Sequence, residues 1–110
     1  MPHKSPILTA ELAHHYQQQA LAQIDNKNFR EVEANALKAL ALTQTDDQIT
    51  ALLGTAQWLQ NKKKTALETF RTVKNSNQIL RTIRDFEVKG VEKSILEPVR
   101  LDFLQRKQEL

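Results

Sequence analysis

A recurrent spacing of about 34 residues constrains this chain more than any single motif in it. Ala20 is followed by Gly54, Val32 by Ala66, Ala36 by Phe70 and Ala39 by Val73, every pair at that same offset. A period of this length marks a supersecondary unit that cannot bury its apolar side alone and stacks on a copy of itself. Small residues at the repeated positions fall where two antiparallel helices would cross closely or interlock. Scaffolds of this kind hold partners more often than they carry out reactions.

The units read as helix pairs. Leu12, Ala13, Tyr16, Ala20 and Ile24 recur at three- and four-residue steps and give an apolar stripe that ends near Asp25. Ser5 before Pro6, or else Thr9, is placed to cap this first helix. Asp25–Asn28 reads as a turn, and Asn28 with Glu31 forms the reciprocal capping pattern that opens a second helix over Phe29–Leu42. Thr45 with Gln48 repeats that pattern before a third helix, Asp46–Gln60. Asn61–Lys63 is the next turn, followed by a fourth helix over Lys64–Lys74. Asn75 with Gln78 opens a fifth, Ser76–Lys89, stopped by Gly90. Ser94 with Glu97 opens a sixth, Ile95–Gln108, with Pro98 in its first turn. No stretch alternates with a period of two. The expectation is an all-α fold of six antiparallel helices: a tail over 1–6, then one domain with units at about 10–43, 44–75 and 76–110.

Composition narrows the chemistry. The chain has 110 residues, no Cys and only two Gly, so disulfides, thiolate metal sites and cysteine nucleophiles are excluded. No apolar run approaches the ~18 residues that cross a bilayer, and the start lacks a leader-like apolar stretch. A cytoplasmic location follows as the expectation. The carboxylate pairs Glu31/Glu33 and Asp46/Asp47 sit at helix starts, where they favour the helix end. Without a Gly-rich phosphate loop or a nucleophile spaced to a base, the chain is not read as an enzyme. His14 and His15 point about 100° apart on one helix, so no metal or other cofactor is expected. Charge is uneven: residues 1–61 carry −2 and residues 62–110 carry +5. Lys62, Lys63 and Lys64 form a run that Arg71, Lys74, Arg81 and Arg84 extend into a candidate basic surface, the basis of an alternative reading as a nucleic-acid-associated protein. A structural subunit of a larger assembly is a third reading.

Several of these landmarks resemble the tetratricopeptide repeat family. The matches are Tyr16, Ala20, Phe29, Ala36 and Ala39 with the run Lys38–Leu42 in the first unit, and Leu53, Gly54, Ala66 and Phe70 in the second. They cover residues 10–75. Val32, Gln19, Gln23, Lys63 and Gln44 depart from the pattern, and residues 76–110 keep the helices but lose the motif. The resemblance implies a short right-handed superhelix whose first helices line a concave groove for a protein segment. Transferred residue by residue, the groove comprises His14, Gln17, Gln18, Leu21 and Asp25, then Gln48, Ala51, Leu52, Thr55, Trp58 and Leu59, with Thr82, Asp85 and Lys89 added by the last unit. Gln17, Leu21 and Leu52 stand where some members carry the Lys, Asn and Arg side chains that grip a peptide's terminal carboxylate. Trp58, the single Trp, is the candidate binding anchor, with packing as core the competing reading. In the last helix Val99, Leu101, Phe103 and Leu104 spread around the helix, so that a second copy could pair there as a homodimer. The function read from the sequence is a protein-interaction module, an adaptor, scaffold or chaperone-like protein that binds a protein segment in its concave groove.

Overall fold

The computed structural model describes the backbone of residues 6–43 and 46–109 and the side chains of residues 8–43 and 46–105. Six helices and no strand occur among them: α1 (Pro6–Asp25), α2 (Phe29–Thr43), α3 (Asp47–Leu59), α4 (Lys63–Arg71), α5 (Ser76–Val88) and α6 (Lys93–Glu109). α1 packs on α2, α2 on α3, and α3 on both α4 and α5, while α6 lies against α5. The protein is all-α, built from three consecutive helix pairs.

The repeat period is visible in the backbone itself. Lys27 and Asn61, one period apart, both adopt left-handed conformations, with φ of 54° and 66°. Around the first, the N–H of Lys27 donates to Ile24 O and that of Asn28 to Gln23 O. Around the second, Asn61 donates to Trp58 O and Lys62 to Gln57 O. These are the same two bonds moved by one period, and they close a helix end by reversing the chain. The third pair repeats the device with Gly90 at φ 108° and Val91 N–H on Phe86 O, but earlier than a full period would place it. α4 has 9 residues where α2 has 15, and this shortening accounts for the loss of register that follows it.

Packing follows the small residues. A Cβ added to Gly54 would lie 2.6 Å from Cε1 of Phe70, so the absent side chain on α3 is the space the α4 ring fills. The main core runs from Ala20, Ile24 and Val32 through Leu52, Ala56, Ala66 and Phe70 to Ile79, Ile83, Phe86, Leu96, Val99 and Phe103. A second cluster joins Ala36, Ala39, Ile49 and Leu53, with Tyr16 and Leu40 against it.

Helix ends differ from the sequence reading in identifiable ways. Ser5 and Thr45 lie outside the described residues. α1 opens with Pro6 at its first position, and Thr9 falls inside the helix. Asp46 caps α3, its carboxylate accepting from Ile49 N–H at 3.0 Å. Asp47 serves a different element: its two oxygens accept from Lys74 N–H (3.0 Å) and Asn75 N–H (2.9 Å), which ties the α4–α5 turn to α3. That anchor ends α4 at Arg71, short of the expected Lys74. α6 starts at Lys93, ahead of the expected Ile95, so Pro98 falls in its second turn and not its first. Its missing N–H leaves Ser94 O without a helical donor, at a residue exposed to water.

Candidate partner-binding face

The first helices of the three pairs share one crevice. α1 contributes Gln17 and Leu21, α3 Gln48 and Leu52, and α5 Thr82, Asp85 and Phe86. Each pair of contributors on α1 and α3 is one four-residue step apart, which puts both on one side of its helix. The crevice is shallow, with a volume of about 10 Å³, room for one water and not for a side chain. Its polar rim is supplied by Gln17, Gln48 and Asp85, flanked by the exposed His14 and Gln18. Leu52 (2% exposed) forms floor and not wall. At one end Lys89 closes the face: its Nζ donates to Leu21 O at 3.1 Å and lies 3.7 Å from Asp25 Oδ2.

Four expected groove residues are placed elsewhere. Thr55 and Ala51 are wholly buried, and the Thr55 hydroxyl donates to Ala51 O within its own helix at 2.8 Å. Trp58 does not line the crevice. Six positions beyond Leu52, it is turned by about 240° around α3, and its Nε1–H donates to Ile95 O of α6 at 2.9 Å. Its ring packs against the core and carries Lys63 Nζ 5.3 Å from the centroid. The indole is a strut between α3 and α6, not a free anchor. Leu59 keeps the angular position of Leu52 but lies about 10 Å farther along the axis. There it lines a separate depression with Phe29, Gly90, Val91 and Ile95.

The basic surface is also divided. Lys62 lies in the turn, while Lys63 and Lys64 belong to the first turn of α4. Lys62 Nζ pairs with Glu33 Oε1 at 2.8 Å, and Gln60 Nε2 donates to the same carboxylate at 2.9 Å. Burial alone would push the Glu33 carboxyl up. The bonds from Lys62 and Gln60 and the Lys62 charge outweigh that and hold it below its ordinary value. Lys63 is engaged by Trp58. Lys64, Arg71, Arg81 and Arg84 are exposed, and Arg84 turns into a groove with α6. The Asp47 carboxyl is held low chiefly by its backbone bonds from Lys74 and Asn75.

The proposed pairing helix splits as well. Val99 and Phe103 are buried (0% and 4% exposed), with Phe103 edge-on to Phe70 at 5.6 Å, and only Leu101 (56%) and Leu104 (42%) face outward. Val99 and Phe103 are therefore core residues and not part of any pairing surface. Between α5 and α6, Arg100 bonds both Glu87 and Glu97. The i,i+3 spacing of Glu97 and Arg100 is a legible signal; the Glu87–Arg100 bond, across two helices, has none. The raised affinity of the Arg100 guanidinium for its proton comes first from the Glu87 bond. No cluster of three His, Asp or Glu that could hold a metal ion occurs among the described residues, and no described helix is long and apolar enough to cross a membrane.

Fold and surface together define an all-α protein of stacked helix pairs with one face built from alternate helices. Compared with known proteins, the chain matches no family model, no curated protein and no solved structure.

Proposed function

We propose that the protein is a tetratricopeptide-like interaction module that binds a protein segment across the face formed by α1, α3 and α5. The observation that carries this reading is the convergence of Gln17, Leu21, Gln48, Leu52 and Asp85, from three separate helices, on a single crevice. Because the crevice admits no side chain, the segment would lie along the face and not plug into it. The glutamine amides supply both donors and acceptors, which suits the backbone of an extended chain, and Leu21 supplies a partly exposed apolar contact. His14 and Gln18 widen the strip. Trp58 has no part in this contact, since its indole is committed to α6.

The test is capture from host lysate, with and without nuclease, comparing the wild-type chain with Gln48→Arg/Asp85→Arg and with Lys64→Glu/Arg71→Glu. All four positions are exposed, so each variant is expected to keep its helical circular dichroism. A protein band that survives nuclease, disappears with the first variant and persists with the second supports the reading. Recovery that needs nucleic acid and fails with the second variant would move the function to the basic surface.

A further inference from the structure

Among the described residues the two ends of the helix stack are uncovered and complementary. At the C-terminal end, α5 and α6 enclose a groove of about 580 Å³ on the side of α5 turned away from the crevice. Thr82, Asp85 and Phe86 face the crevice, whereas Leu80, Arg84, Glu87 and Val88 line this groove, together with Lys93, Glu97 and Arg100 of α6. Leu80, Arg84 and Val88 follow one another at four-residue steps, a second stripe on α5 whose Leu80 end packs against the core while Arg84 and Val88 are exposed. Val88 is 79% exposed, an unusual state for a β-branched apolar residue beside a groove. Arg100 is committed to Glu87 and Glu97, while Arg84 and Lys93 form no ion pair among the described residues. The groove therefore presents apolar side chains in a lining of three cations, Arg84, Lys93 and Arg100, and two carboxylates, Glu87 and Glu97, with one positive charge in excess.

At the N-terminal end, α1 buries Ala13, Ala20 and Ile24 against its own domain and exposes the opposite stripe: Leu8 (62%), Glu11, Leu12 (43%) and His15. These fall at i, i+3, i+4 and i+7, the spacing of a helix face made for packing. α1 holds two acidic residues, Glu11 and Asp25, and no Lys or Arg. The outward stripe from Leu8 to His15 runs along about 10 Å of α1, and the groove lining runs from Leu80 to Val88 on α5 and from Lys93 to Arg100 on α6, about 12 and 10 Å, so stripe and groove match in length. Terminal pairs of a stacked array ordinarily carry polar outer faces that stop its growth. Here one end offers leucines with a carboxylate and the other offers an apolar, cationic groove.

We propose that the outward Leu8–Glu11–Leu12 face of α1 docks into the α5–α6 groove of a second copy, so that chains associate head to tail. A contact between two different surfaces of one chain is heterologous. It grows past the dimer unless the rotation per copy closes a ring. A single helix in a groove is a small interface, so the association is weak and depends on concentration and salt. The inference uses the two ends of the stack and stands apart from the α1–α3–α5 face, so loss of either reading leaves the other intact.

Sedimentation velocity of the full chain, up to about 1 mM where even the weakest specific contacts register, supplies the test. The average mass of the wild type is expected to rise beyond that of a dimer and to fall with added salt. Leu12→Asp blocks the first end and Arg84→Glu/Val88→Glu the second. Each alone is expected to be monomeric, a weakening of about tenfold or more. The two mixed are expected to form a 1:1 dimer that stops there, because each retains one intact end. All three sites are exposed, and circular dichroism checks that the variants remain helical. A wild type that stays monomeric at about 1 mM overturns the proposal, as does association that neither end variant changes. A dimer abolished by Leu101→Glu/Leu104→Glu and indifferent to Leu12→Asp overturns it too, in favour of symmetric pairing through α6.

Discussion

Gly54→Ala sets two well-characterised effects against each other at the point where the repeat is tightest. Helix interiors favour Ala over Gly by about 1 kcal/mol, so in an uncrowded helix the change stabilises. In α3 the new methyl would sit 2.6, 2.8 and 3.0 Å from three carbons of the Phe70 ring. Ordinary contact requires a retreat of roughly 1 Å. Phe70 is 1% exposed, and its ring meets Phe103 edge-on on another side, so the retreat must be shared across α4 and α6. Overpacking of this kind costs about 1–3 kcal/mol. The clash outweighs the propensity, and the expected net is a loss of up to about 2 kcal/mol. For a chain of this length that corresponds to a fall in Tm of roughly 4–8 °C per kcal/mol.

Urea and thermal unfolding followed by circular dichroism at 222 nm measure the loss. The double variant Gly54→Ala/Phe70→Leu identifies its source. Phe70→Leu alone destabilises by leaving a cavity. In the double variant the methyl occupies part of that space, so the two losses should add to less than their sum by about 1 kcal/mol. A Gly54→Ala variant that is more stable than the wild type by the full propensity difference would refute the close α3–α4 crossing, and with it the reason for the small residue at this position of the repeat.

Three further outcomes are expected. Trp58→Phe keeps an aromatic ring but loses the pyrrole half of the indole and with it the Nε1–H bond to Ile95 O, and should cost at least about 1–2 kcal/mol without affecting capture of a partner; lost capture at unchanged stability would return Trp58 to the binding face. Lys27→Gly relieves a left-handed non-glycine residue and should raise stability by roughly 1 kcal/mol, read as a higher urea midpoint at constant slope. Glu33 has a folded-state pKa below its ordinary value, so the unfolded chain binds more protons there and its contribution is present above the ordinary carboxylate range. That contribution is lost as pH falls through the lowered value. Glu33→Gln should make stability less steep in acid, and an identical pH profile for the two proteins would show that the Lys62–Glu33 pair contributes nothing.

How much of this was legible in the sequence depended on whether a feature was local. The turns were: Asn61 stands one period after Lys27, and both adopt the left-handed backbone that the period demands. The crossing at Gly54 was legible because a missing side chain is itself a signal. Trp58 was misplaced because the family pattern assigns first-helix residues to one face, whereas the rotation accumulated between Leu52 and Trp58 carries the indole to the other side of α3. Asp47 read as part of a helix-start pair, yet its oxygens hold a turn 27 and 28 residues away, which no local spacing encodes. The residues of the shared crevice on α1 and α3 were named through the family resemblance, transferred residue by residue, and the structure sets Gln17 with Leu21 and Gln48 with Leu52 one four-residue step apart. On α5 the stripe Leu80, Arg84, Val88 was hidden by its central arginine, which breaks the apolar pattern on which a helix face is recognised.

α6 explains why the last pair looks different from the first two. Leu96, Val99 and Phe103 are its only buried apolar residues among those whose side chains are described, and the side chains it turns into the groove with α5 are the charged Lys93, Glu97 and Arg100. Two carboxylates share one guanidinium there. Glu87 is 7% exposed, and its second oxygen has no hydrogen-bond partner. Removing such charges from water costs several kcal/mol per ion, and mutual attraction returns that only when every bond is made. One is not made, so the cluster orients α6 more than it stabilises it. The apolar trio and the Trp58 bond to Ile95 carry the attachment. A helix held mainly along one side leaves the other side of the pair open, and the open side is the groove that Arg84 and Lys93 line without forming an ion pair among the described residues. The loss of the repeat motif after Lys74 and the presence of an unfilled end are thus one structural fact: the final pair departs from the repeat where no further helix of the described chain packs on it.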